Sequence, residues 1–98
     1  MAFPNFPFWI VTQRRGLIAQ PVEPDGMPGL VAAFSSAENA ARFMVRRGAT
    51  KWENRLVSRS TFRDLMADLR RIGVQGLCLD PGEGGCQSTI TFEAMEGT

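Results

Sequence analysis

The sequence predicts a single α+β domain spanning residues 1–98: a mainly antiparallel sheet of five to six strands, with two helices packed largely on one face, in the order βββαβαββ. Three observations carry that expectation. Residues 60–82, STFRDLMADLRRIGVQGLCLDPG, run as an amphipathic helix through a glycine stop straight into a short apolar strand. A second helical stretch follows Ser35, and β-rich apolar runs punctuated by Gly, Pro and Asp fill most of the remainder. The chain of 98 residues has the size of one domain, and its 44% hydrophobic content is enough to build a core.

The elements follow in order. Residues 1–7, MAFPNFP, read as an extended arm, because Pro4 and Pro7 lack the N–H that helix or interior strand pairing requires. Phe3, Phe6, Phe8 and Trp9 make that end aromatic, able to pack on its own domain or on a neighbouring subunit, so Phe3, Phe6 and Trp9 are candidate interface residues. Phe8 to Thr12 and Leu17 to Val22 are β-rich runs joined by Gln13-Arg14-Arg15-Gly16, a connection of hairpin length. Glu23-Pro24-Asp25-Gly26-Met27-Pro28 has turn chemistry, and a third run extends from Gly29 to Phe34. Three successive strands predict an antiparallel meander.

Ser35 opens the first helix, with Glu38 three residues on to complete a capping box, and Gly48 closes it. Ala37, Ala40, Ala41 and Met44 mark its inner stripe, leaving Phe43 to cover an edge. Residues 53–58, ENRLVS, form a weak strand. Ser60 or Thr61 then caps the second helix, and Asp64 stands at the box position for Thr61. Phe62, Leu65, Met66, Leu69 and Ile72 line one side of it, while Arg63, Asp64, Asp68, Arg70 and Arg71 hold the other. Gly76 to Leu79 is the next strand, Asp80 to Gly85 a loop, and Ser88 to Phe92 the last strand.

Two of these segments resemble a known family. Leu30-Val31-Ala32-Ala33-Phe34-Ser35-Ser36-Ala37-Glu38 is similar to the strand and capped helix of the SseB N-terminal-like domain. Gly73-Val74-Gln75-Gly76-Leu77-Cys78-Leu79-Asp80-Pro81-Gly82 resembles that family's glycine, strand and Asn-Pro-Gly close. Asp80 stands where the family has Asn, and Ala33 precedes Phe34 in place of a bulkier residue. The resemblance covers about half the chain and implies a small α+β accessory or interaction module. It implies no active site, since the family has no established catalytic residues to carry over.

Charge narrows the partners. Eleven basic and ten acidic residues leave a net charge of +1, so no global field draws the chain onto nucleic acid or an anionic membrane. Lys51 is the sole lysine beside ten arginines, a bias that coding composition produces without selection for guanidinium chemistry. No segment approaches the roughly 18 apolar residues that span a bilayer, and the N-terminus lacks the pattern of a secretory signal. A cytoplasmic protein is expected, with no membrane partner and with Cys78 and Cys86 as reduced thiols.

The chain contains no histidine and no tyrosine, which removes Ser-His and Cys-His pairs and the side chain best matched to proton transfer near pH 7. No catalysis, catalytic residue, metal site or cofactor is expected. Asp64 and Asp68 share a helix face but read as a solvated charged face. The loop Pro81-Gly82-Glu83-Gly84-Gly85-Cys86 precedes a strand, whereas phosphate-cradling loops open a helix. Cys86 has no adjacent cation to activate it, so thiol redox chemistry is the weakest reading. The best binding surface is the basic stretch 42–59, carrying Arg42, Arg46, Arg47, Lys51 and Arg55 around Trp52. Two functional expectations follow: a non-enzymatic module that binds a protein partner or itself through an open sheet edge or the aromatic arm, or a binder of nucleic acid or another polyanion along residues 42–59.

Overall fold

Strand β1 (Phe8–Arg15) has partners along both of its edges in this computed structural model, which describes residues 6–15, 18–24, 26–49, 51–82 and 85–96. On one side β4 (Trp52–Val57) runs antiparallel from the Phe8↔Val57 pair to the Gln13↔Trp52 pair. The other side is shared. β3 (Leu30–Phe34) pairs with Trp9 and Ile10, and β2 (Ile18–Pro21) folds back as a hairpin from Thr12 onward. Val22 bridges the changeover, its N–H bonded to the Val11 carbonyl at 3.0 Å and its carbonyl to the Ala32 N–H at 2.9 Å. β3 then pairs in parallel with β5 (Gly76–Leu79), which pairs antiparallel with β6 (Ser88–Thr91).

Among the described residues the sheet is therefore mixed, antiparallel except for β3–β5, and of six strands. The expected meander is corrected: β3 returns beside β1, not beside β2, because β2 ends at Pro21 and Val22 takes the next hydrogen bonds.

The two long helices lie on opposite faces, in place of the single face expected. Helix α2 (Arg59–Arg71) buries Leu65 and Leu69 against Phe8, Ile10, Val31, Ala33, Val57 and Leu77. Helix α1 (Ala37–Arg46) buries Ala40, Phe43 and Met44 against the alternate residues Val11, Ala32 and Phe34. The physical reason is in β3: Val31, Ala32, Ala33 and Phe34 are all at most 1% exposed, and a strand with no polar alternation needs cover on both sides. Burial of each Leu of α2 contributes about 1.5–3 kcal/mol.

Helix ends also differ in detail from expectation. The α1 cap is Ser36, whose Oγ accepts from the Asn39 N–H at 3.1 Å, not Ser35 with Glu38. Ser58 caps α2, and its N–H donates to Thr61 Oγ1 at 3.1 Å, so the helix begins before Ser60. A third helix, α3 (Phe92–Glu96), replaces the end of the last strand. Thr91 Oγ1 accepts from the Ala94 N–H at 3.1 Å, and Phe92 turns into the α2-side core at 1% exposure. Phe43 is a core residue, 7% exposed with its ring 5.3 Å from that of Phe34, whereas Ile72 falls off the α2 stripe at 64%. Val74, past the Gly73 turn, takes the place in the core that Ile72 vacates.

Candidate functional site

The C-terminal half of α1, the loop after β2 and the β5–β6 hairpin meet around an open groove of about 450 Å³. Phe43, Arg46 and Arg47 come from the helix, Pro24 and Met27 from the loop, and Pro81, Gly82, Gly85 and Cys86 from the hairpin. The hairpin is drawn over the sheet by a disulfide between Cys78 and Cys86, whose Cα atoms are 5.4 Å apart. Cys78 is the register partner of Ala32, so it faces the α1 side, and it is fully buried there. Gly82 and Gly85 exchange backbone hydrogen bonds at 2.9 and 3.1 Å, closing the hairpin so that Cys86 returns to Cys78. Met27 Sδ rests 3.0 Å from Cys86 Sγ, a sulfur–sulfur contact, because a disulfide sulfur carries no proton to donate.

The expected pair of reduced thiols is thus corrected to a disulfide, and Cys86 offers no free thiolate in this state. Spacing alone concealed it. A separation of eight residues matches no Cys-x-x-Cys pattern, but a Pro-Gly-rich turn between a strand residue and its flank brings the two sulfurs together.

The two arginines of the groove differ. Arg47 Nη1 donates to the Glu23 carbonyl at 2.7 Å and its guanidinium lies 5.1 Å from the centre of the Phe43 ring, which ties the loop to the helix. Arg46 is exposed at the rim. Arg42 stands one turn earlier, also exposed, and Lys51 is exposed just before β4. Trp52 is half-buried against the α1-side core. Arg55 is not with them: three positions along β4 it projects on the α2 side, where it lines a different groove with Glu53, Asp68 and Ile72. The basic stretch of the sequence is divided between two faces of the sheet.

The aromatic arm is also divided. Phe3 lies outside the described residues. Phe6 packs on its own domain, with its ring centre 5.6 Å from Phe8 and 5.4 Å from Phe62, and the Arg59 guanidinium 5.2 Å above it. Trp9 faces the α1 side, half-buried beside Phe34.

At the carboxyl ends of the parallel pair β3–β5, a place where α/β folds often bind ligands, the chain supplies its own filling. Asp80 accepts from the Ser35 N–H at 3.0 Å, from Ser35 Oγ at 2.8 Å and from Asn39 Nδ2 at 3.4 Å. Asp68 makes an exposed ion pair with Arg71 at 3.4 Å, in keeping with a solvated face. Among the described residues no polar or charged side chain is buried, and no three His, Cys, Asp or Glu side chains are grouped to hold a metal ion. Among the described residues no helix is long and apolar enough to cross a membrane.

Compared with protein-family models, curated proteins and solved structures, the chain matches none.

Proposed function

We propose that the chain is a non-enzymatic interaction module that captures an apolar side chain flanked by carboxylates, as in an acidic peptide segment, in the groove beside the disulfide. The observation that carries this reading is the pairing of an apolar lining, Met27, Phe43, Pro24 and Pro81, with the exposed guanidinium of Arg46 at its rim. Such a site gains most of its affinity from the buried anchor, and the rim charge adds on-rate and selectivity against basic partners. Cytoplasmic residence belongs to the proposal and has a consequence: the disulfide is then reduced in place, whereas an oxidising compartment keeps it closed.

Selection of a random peptide library on the immobilised protein tests the reading. Enriched peptides should combine Asp or Glu with one large apolar residue, and titration into Met27→Glu or Arg46→Glu protein should weaken their binding about tenfold or more. Recovery of no peptide, or of peptides indifferent to both substitutions, would overturn it. The polyanion reading rests on Arg42 and Arg46, exposed on the C-terminal half of α1, and on Lys51, exposed just before β4. It requires instead that single-stranded DNA or heparin bind with a steep salt dependence that Arg46→Glu with Lys51→Glu flattens.

A further inference from the structure

Strand β4 is the edge of the sheet on its side: among the described residues its one strand partner is β1, and Glu53, Asn54, Arg55 and Leu56 are exposed. An open edge offers unpaired backbone groups to any extended chain, and natural edges are blunted by charge to prevent it. β4 carries charge of both signs in a definite order, which rejects most strands and suits a few. We infer that the strand it suits is β4 of a second copy, paired antiparallel about a twofold axis through Asn54.

The register follows from the side chains. Trp52, Asn54 and Leu56 share the α1 face, since they pair with Gln13, Val11 and Trp9, while Glu53 and Arg55 share the α2 face with Thr12 and Ile10. Centring the axis on Asn54 sets Glu53 of each copy opposite Arg55 of the other, and Trp52 opposite Leu56. Two ion pairs then form on one face and two apolar pairs on the other, all between directly opposed residues, where cross-strand pairs interact most strongly. The apolar pairs cover Leu56, one of the few large apolar side chains left exposed, at 50%. A shift of two residues in either direction places Glu53 against Glu53 or Arg55 against Arg55, which is unfavourable. One register therefore satisfies both faces, and it is isologous, as a closed dimer requires. The contact is short, smaller than a standard interface, so the dimer has a micromolar dissociation constant and not a nanomolar one. None of the residues lining the disulfide groove belongs to β4, so this pairing is independent of the peptide-binding reading.

Sedimentation equilibrium across a concentration series, with circular dichroism to confirm folding, tests the dimer. The wild-type chain, 10.8 kDa, should approach twice that mass in the upper micromolar range. Glu53→Arg and Arg55→Glu should each be monomeric, because each sets like charges opposite one another. Mixing the two variants should restore a dimer containing one of each, and the double variant E53R/R55E should dimerise alone. A wild type that stays monomeric to about 1 mM overturns the inference. So does a dimer that survives either single substitution, or a failure of the mixed variants to associate. Should a single variant fail to fold, the double variant, which restores charge complementarity within one chain, decides the question.

Discussion

Asp80 does two jobs at one position. Its backbone adopts φ +47°, a left-handed conformation that costs most residues about 1–2 kcal/mol and that Asp and Asn tolerate best. Its carboxylate meanwhile holds the first turn of α1 to the end of β5 through Ser35 and Asn39. Asp80→Ala loses both and should destabilise the domain by about 1–3 kcal/mol, read as a lower urea midpoint at unchanged slope. Asp80→Asn keeps the backbone tolerance and part of the bonding, and Asp80→Gly keeps the backbone freedom alone, so both should fall between Ala and wild type. An Ala variant as stable as the wild type would show that the cluster contributes nothing. At this scale the sequence is partly legible: Asp-Pro-Gly announces a turn, but the partners of the carboxylate are Ser35 and Asn39, and the place of Ser35 ahead of a helix suggests only a cap.

Helix α2 shows how far periodicity can be trusted within an element. Its apolar stripe identifies Phe62, Leu65, Met66 and Leu69 as core-facing, and all four pack into the α2-side cluster. Ile72 has the right spacing but sits at the helix end, where the chain departs toward Gly73 and Val74 and leaves it in solvent. Leu69→Ala should therefore cost about 2–5 kcal/mol and Ile72→Ala about 0.5 kcal/mol or less in the same denaturation experiment. Equal costs would contradict this packing. Helix placement is legible in β3. The unbroken apolar run Leu30-Val31-Ala32-Ala33-Phe34 cannot alternate between core and water, and two helices on one face would have left Ala32 and Phe34 bare. Arg46 and Arg47 could be named from the sequence as binding candidates, but Met27 and Cys86 could not. They meet across 59 residues of chain only after the β5–β6 hairpin has folded down.

Across the whole molecule the disulfide is the one covalent tie. It closes a loop of eight residues, for which the chain-entropy argument gives about 2–3 kcal/mol. Mild reduction by dithiothreitol should lower stability by up to that amount, and alkylation of freshly opened cells in the absence of reductant reports which state the compartment maintains. With denaturant present to expose the buried Cys78, two alkylated cysteines would mean that the compartment keeps the bond reduced, and none that it keeps the bond closed. A stability unchanged by reduction would show that the hairpin is held by its backbone bonds alone.

The placement of β1 also bears on how the polypeptide acquires its shape during synthesis. Among the described strands β1 is made before its three pairing partners, and only β2 follows at once, joining it from Thr12 onward. Trp9 and Ile10 must wait for β3, and Phe8 to Gln13 must wait for Trp52–Val57, before those flanks are occupied. A nascent chain halted before residue 52 would therefore expose a greasy, half-matched ribbon, the form that holdase chaperones bind and that aggregates most readily.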